Sequence, residues 1–366
     1  MNDNYSDLQY RDELDLINRF IHKLKCLYHQ MTPLTKLLEL LRSEFPQMFN
    51  LNNDLILNQN LQQLIYANVV KDRDRPTKQY CSKFIKLLIE ILERYDKEIN
   101  EELLDLLMSD YVGGGASEHN DDDDDDNDKK EYIYKSYYID NQKWVTLKNE
   151  AIYNLVGMTT WGAAYLLSDF ILANKQLFNE KTILELGAGT GLIGLVLDQV
   201  NSKSVLLTDY SPVVLDNLKY NIENNGIKIQ DLINVEYGDE QLQQNLENGD
   251  DTKFKVMTFD WEANLDDKQC EAFQSDIILG ADIVYDPSLC KYLVAVLHRL
   301  CMKNPSTVAY IASTIRNQQT FSTFQQELQS HNFNITEINY TPDNFVHPSP
   351  YIYDYTQIVL YKITLK

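Results

Sequence analysis

The 366-residue sequence predicts two folded regions, a small all-α N-terminal domain and then an α/β domain built on a mainly parallel sheet. Three observations carry this. Apolar residues recur at three-and-four spacing through the first part of the chain, whereas short β-rich runs alternate with helical segments through the second. Between them, GGGASEHNDDDDDDNDKK from Gly113 to Lys130 joins glycines to like-charge repulsion, with no apolar residue larger than alanine, as in a disordered linker. Finally, Thr182-Ile183-Leu184-Glu185-Leu186 runs as an apolar, acid-bearing strand into the turn Gly187-Ala188-Gly189-Thr190-Gly191 and then the helical run Leu192 to Leu197. Such a junction grips a nucleotide-sized cofactor, because glycines admit positive φ and close backbone approach.

In the first domain, residues 1–112, Ile17, Phe20, Ile21, Leu24, Leu27 and Tyr28 form one buried stripe, and Ile85, Leu88, Ile89, Leu92 and Tyr95 form another. Thr32 before Pro33 reads as the N-cap of a helix from Pro33 to Glu44, and Glu98 to Met108 as a further leucine-rich helix. The linker 113–130 follows, then the second domain, residues 131–366. It opens on Glu131 to Ile139 and Lys143 to Leu147, two tyrosine- and β-rich strands flanking Asp140-Asn141-Gln142 as a hairpin. Five parallel strands are expected at Thr182 to Leu186, Ser204 to Thr208, Lys255 to Thr258, Asp276 to Leu279 and Val308 to Ser313. A late pair, Asn334 to Tyr340 and Thr356 to Ile363, closes the sheet.

Composition removes several classes. A net charge of −22 and a pI near 4.6 argue against loose nucleic-acid binding, which is driven by phosphate neutralisation, and favour a protein or small-molecule substrate. No apolar run approaches the roughly 20 residues needed to cross a bilayer, and the start, Met1-Asn2-Asp3-Asn4-Tyr5-Ser6-Asp7, is polar and acidic, so a cytoplasmic protein, not membrane-bound, is expected. Cys26, Cys81, Cys270, Cys290 and Cys301 are scattered and make no CxxC pair, which fits reduced thiols without zinc. The six aspartates 121–126 lack the glycine and terminal glutamate of a rigid calcium loop.

Two cofactors compete for the glycine turn. Gly189-Thr190-Gly191-Leu192-Ile193-Gly194 satisfies the GxGxxG of nicotinamide enzymes, with Asp209 20 residues beyond Gly189. Its first glycine, however, should sit at the strand end, and the strand here ends at Gly187, two residues too early. Glu185 would also repel a pyrophosphate, but it can stabilise a sulfonium or an ammonium. Read from Glu185, the pattern ExGxGxG resembles motif I of the seven-strand methyltransferases that use S-adenosyl-L-methionine. Asp209, at the end of the second strand, can accept from both ribose hydroxyls; Asp260 can take the adenine amino group, with Trp261 covering a ring. Leu279-Gly280-Ala281-Asp282-Ile283-Val284-Tyr285 ends the fourth strand, where such folds face the transferred methyl. It is neither the Asn-Pro-Pro-Tyr form used on amide nitrogens nor a Pro-Cys nucleophile; Asp282-x-x-Tyr285 suits an amine, the carboxylate orienting an ammonium and the ring walling the channel.

From Glu131 to Lys366 the chain resembles the protein-lysine branch of these enzymes, methyltransferase family 16, through Thr160-Trp161-Gly162-Ala163-Ala164, Glu185 to Gly191, Thr208-Asp209, Phe259-Asp260-Trp261 and Asp282-Ile283-Val284-Tyr285. Family members more often carry glutamate where this chain has Gly162. The resemblance implies a seven-strand Rossmann-like methyltransferase sheet whose final strand inserts antiparallel. It implies S-adenosylmethionine held by Trp161, Glu185, Gly187, Ala188, Gly189, Gly191, Asp209, Asp260, Trp261 and Ala281, no metal, and Asp282 and Tyr285 as catalytic residues. The helical extension and Ala312-Ser313-Thr314-Ile315-Arg316-Asn317 look similar to the enzymes that methylate a lysine of translation elongation factor 2, which makes that protein the expected substrate; separately, a monomer is the expected state. A free lysine amine has a pKa near 10.4, so keeping it neutral at pH 7 costs roughly 4 to 5 kcal/mol, and an ordinary carboxylate is too acidic to take its proton. Asp282 is therefore expected to position the amine. The rivals are a methyltransferase for another protein, a small amine or RNA, and a cofactor-binding interaction module.

Overall fold

Phe20, Leu24, Leu27 and Tyr28 are buried along one face of α1 (Asp3–His29), as their spacing dictates. The computed structural model describes residues 3–49, 58–71, 76–112, 132–139, 143–151, 155–232, 252–262, 270, 273–340 and 355–366. Its contacts divide the chain into two units, Met1–Tyr138 and Ile139–Lys366; the linker 113–130 and the turn 140–142 lie outside the described residues.

In the first unit, α2 (Leu34–Glu44) buries Leu37 and Leu41, α3 (Gln59–Ile65) runs into a π turn at Tyr66–Val70, and α4 (Lys78–Arg94) buries Phe84, Ile85, Leu88 and Leu92. α5 is Glu101–Val112. Two boundaries depart from the sequence reading. Thr32 does not cap α2, whose N-cap is Pro33; Thr32 is buried, and its carbonyl accepts the Tyr80 hydroxyl at 2.5 Å. α5 starts at Glu101 rather than Glu98, because the Glu98 carbonyl accepts the Gln59 and Gln62 side-chain amides and the Asn100 Oδ1 accepts the Leu103 N–H.

β1 (Tyr132–Ile139) lies in the first unit up to Tyr138, and the second unit opens with β2 (Lys143–Glu150). The main sheet contains β3 (Thr182–Leu186), β4 (Ser204–Asp209), β5 (Ile229–Asp231), β6 (Phe254–Thr258), β7 (Ile277–Ala281), β8 (Val308–Thr314), β9 (Phe333–Glu337) and β10 (Ile358–Leu365). Their spatial order is β5-β6-β4-β3-β7-β8-β10-β9, with β10 antiparallel to both neighbours and the other neighbouring pairs parallel. Eight strands replace the expected seven because β5, three residues on the edge, is too short to show a period in sequence. The insertion of the last strand is as expected.

Helices cover both faces. Ala309 and Ile311 of β8 join the core under α10 (Pro287–Lys303) and α11 (Gln318–Ser330), with Leu293, Leu297, Phe324 and Leu328. Tyr310, between them, meets Phe170 of α6 (Gly162–Ala173), the ring centroids 5.2 Å apart. A short α7 (Lys175–Phe178) and α8 (Leu192–Leu197) flank β3, and α9 (Pro212–Asn224) follows β4. β3 has β4 on one side and β7 on the other, so the winding reverses there, and the carboxyl ends of these three strands open a crevice where ligands bind in such sheets. Among the described residues, no helix is long and apolar enough to cross a membrane.

Candidate active site

At the end of β3 the chain reverses within five residues, and it does so through left-handed positions at Gly187 (φ +66°) and Gly191 (φ +86°). A Cβ on Gly187 would stand 2.8 Å from Ile283 Cγ2, and one on Gly191 2.5 Å from Leu218 Cδ1, so conformation and space both demand glycine. Gly191 is the N-cap of α8 and packs behind the turn.

Hydrogen bonds fix the turn from two sides. Ala188 N–H donates to the Thr208 carbonyl at 2.8 Å, the Thr208 hydroxyl to the Glu185 carbonyl at 2.6 Å, and Gly189 N–H to Asp209 Oδ2 at 3.0 Å. Opposite, Asn221 Nδ2 donates to the Thr190 carbonyl at 2.9 Å, and the Thr160 and Thr190 hydroxyls lie 2.8 Å apart. Asn149 Oδ1 accepts both the N–H and the hydroxyl of Thr160, at 3.0 and 2.9 Å. Sequence reading missed these asparagines, since a lone Asn at a strand end or within α9 has no pattern.

The crevice is a cavity of about 580 Å³, within the range that holds cofactors. Trp161, Glu185, Gly187, Ala188, Gly189, Asp209, Asp260, Trp261, Ala281, Asp282 and Tyr285 all line it; of the expected site residues, only Gly191 does not. Trp161 precedes α6, its Nε1–H bound to the Val156 carbonyl at 2.8 Å. Trp261 lies over Gly187, its Cζ2 3.6 Å from where that residue's Cβ would be, and Asp260 Oδ1 accepts the Glu262 N–H at 2.9 Å. Tyr285 is half exposed at the mouth with Val156 and Tyr210; burial, then the Asp209 and Asp286 charges, raise its phenol pKa.

Electrostatics identifies the guest. Glu185 is buried on β3, and its Oε2 has no hydrogen-bond partner among the described residues. Burial, and then the Asp209 charge, push its carboxyl pKa well above the ordinary range. Burial also raises that of Asp209, against the pull of the Gly189, Ser211 and Tyr210 N–H groups. The described lining holds five acids, Glu185, Asp209, Asp260, Glu262 and Asp282, and no lysine, arginine or histidine. A pyrophosphate would be repelled here, whereas the sulfonium and ammonium of S-adenosylmethionine match both the field and the unpaired oxygen. The dinucleotide alternative fails on these grounds.

Asp282 departs from expectation. Its carboxylate lines the cavity, yet its own chain has already engaged it: Oδ1 accepts the Thr314 N–H at 2.7 Å and Oδ2 the Thr314 hydroxyl at 3.1 Å. Arg316 adds a fork, Nη1 to Oδ1 at 3.3 Å and Nη2 to Oδ2 at 3.1 Å, and its guanidinium lies 4.8 Å from the Trp161 ring centroid. The partner of this carboxylate is therefore an arginine, where the sequence reading gave it a substrate ammonium. Arg316 sits in the Ala312 to Asn317 segment, which sequence reading used only as a resemblance.

Comparison with known proteins agrees with this chemistry. A lysine methyltransferase family model matches residues 140–239 and 227–331. An uncharacterised protein of Dictyostelium discoideum is 49% identical over 355 residues, covering 95% of this chain and 97% of that protein. The human protein-lysine N-methyltransferase EEF2KMT is 30% identical over 202 residues, 53% of this chain and 57% of its own; EFM3 of Chaetomium thermophilum, also a protein-lysine N-methyltransferase, is 30% identical over 198 residues, 53% and 51%. The chain thus spans little more than half the length of these last two. With the glycine turn, the unpaired glutamate and the Asp282 to Tyr285 segment assembled around one S-adenosylmethionine cavity, the chain belongs to the lysine methyltransferase family.

Proposed function

We propose that this protein-lysine methyltransferase acts on translation elongation factor 2 in the cytoplasm, working as a monomer. The observation that carries the reading is the cavity mouth beside Asp282 and Tyr285, where exposed Val156, Tyr210 and Tyr285 offer an apolar collar to a side chain arriving from a protein surface. The similarity to EEF2KMT over 202 residues supports the choice of substrate.

Positions in the cavity lining support the following roles. Glu185 faces the cationic end of the cofactor, Asp209 its ribose, Asp260 its adenine, with Trp161 and Trp261 as walls and Gly187 to Gly189 as the floor. Bound S-adenosylmethionine supplies an electrophilic methyl on a positively charged sulfur. Tyr285 guides the lysine, and the apolar collar shields part of it from water, which favours the neutral amine.

Purified protein incubated with methyl-labelled S-adenosylmethionine and an extract from cells lacking it tests this. Label on a lysine of elongation factor 2 is expected. Label on another protein would cancel the partner, and label confined to RNA or small molecules would cancel the lysine chemistry as well.

A further inference from the structure

The five carboxylates around the cavity create a difficulty for the reaction just proposed. Negative charge near an amine favours its protonated form, and an ammonium has no lone pair with which to attack a methyl. Within the wall, Glu185 and Asp209 come from β3 and β4, Asp260 and Glu262 from the segment after β6, and Asp282 and Tyr285 from the segment after β7, with Asp286 just beyond; none supplies a cation. Arg316, on the segment after β8 and outside the lining itself, does. Its guanidinium is held in a fork by Asp282 and lies over Trp161, and both partners line the cavity. The two Thr314 bonds and the two from Arg316 occupy the Asp282 carboxylate, so no free oxygen remains to hold an ammonium.

Resting on the reading of this site as a lysine methyltransferase, we propose that Arg316, pinned between Asp282 and Trp161, is the fixed cation that keeps the incoming lysine amine uncharged. Asp282 is its positioning residue. The ammonium proton leaves to water; the freed nitrogen lone pair then forms the N–C bond while the S–C bond breaks and its electron pair stays on sulfur. Arg316 takes no proton, because a guanidinium is a donor only and has no acceptor site. It acts through charge, by cancelling the Asp282 carboxylate that would otherwise favour the ammonium.

Sinefungin carries a primary amine where S-adenosylmethionine carries its methyl, so its binding reports, without turnover, whether that position tolerates an ammonium. The experiment is calorimetric affinity for sinefungin relative to S-adenosylhomocysteine at pH 7, on the full chain and its Arg316→Gln, Asp282→Asn and Arg316→Lys variants. Arg316→Gln leaves the Asp282 charge uncompensated and should raise the preference for sinefungin about tenfold. Asp282→Asn leaves the arginine uncompensated and should lower it about tenfold, while Arg316→Lys stays near wild type. S-adenosylhomocysteine affinity in each variant is the folding control. A ratio that moves the same way in both charge-changing variants, or in neither, while S-adenosylhomocysteine still binds, overturns the role of Arg316 and leaves the cofactor site standing. If the wild type binds neither ligand, the cofactor site is lost and the inference with it.

Discussion

Asp209 at the end of β4 accepts the Gly189 N–H at 3.0 Å, so the acid assigned to the ribose also shapes the turn that cradles the cofactor. Its other oxygen takes the Tyr210 and Ser211 N–H groups at 2.8 and 3.3 Å. Asp209→Ala removes acceptor and ligand together. Hydrogen bonds to a charged group contribute about 1.5 to 3 kcal/mol, so S-adenosylmethionine affinity should fall roughly 10- to 100-fold by calorimetry.

Glu185 makes stability depend on pH. Burial raises its folded-state pKa well above the 4.5 of an unperturbed glutamate, so folding favours the protonated form. That stabilisation is complete below the unfolded pKa and is lost as pH rises through the raised folded value. Thermal melts of cofactor-free protein should show wild type losing stability with rising pH over this window relative to Glu185→Gln. At neutral pH the same substitution should weaken S-adenosylmethionine binding, since the cation loses its partner. A melt with the same pH slope in both proteins would contradict the assignment.

Asn221 is fully buried and ties α9 to β2 and the turn: Oδ1 accepts the Lys148 N–H at 2.8 Å, and Nδ2 donates to the Lys148 and Thr190 carbonyls at 3.2 and 2.9 Å. Asn221→Ala orphans those groups and should cost about 2 to 3 kcal/mol in urea denaturation, with a matching loss of cofactor affinity. Asn225, bonded to Thr146 but not to the turn, supplies the contrast: Asn225→Ala should destabilise the fold and spare the affinity of the folded protein.

Gly189 has φ +54°, and a Cβ there would approach the Gly157 carbonyl at 3.3 Å. Gly189→Val forces a branched side chain into a left-handed position on the cavity floor and should abolish detectable cofactor binding. Circular dichroism distinguishes this from unfolding.

What could be read from sequence was whatever repeats or punctuates. The stripes of α1 and α4, the strand into the Gly187 turn and the acids at the ends of β4 and β7 all carry a period or a breaker, and they lie where their pattern puts them. The cap of α2 was misread because Thr32 before Pro33 carries the usual signal, and only the tertiary bond from Tyr80 shows the residue engaged elsewhere. Arg316 was passed over for a similar reason. Its meeting with Asp282, 34 residues earlier, depends on β7 and β8 lying side by side, and sequence spacing holds no trace of that.

β10 lies between β8 and β9 yet follows both in the chain. During synthesis, therefore, β9 emerges with no edge to join, and β8 waits with one side open until Ile358–Leu365 has left the ribosome. A stop codon anywhere between β9 and β10 would cost the sheet two strands for the price of one. It would also expose the β8 edge that leads directly to Thr314 and Arg316, making quality control of this enzyme sensitive to a stretch of message well downstream of the residues that bind its cofactor.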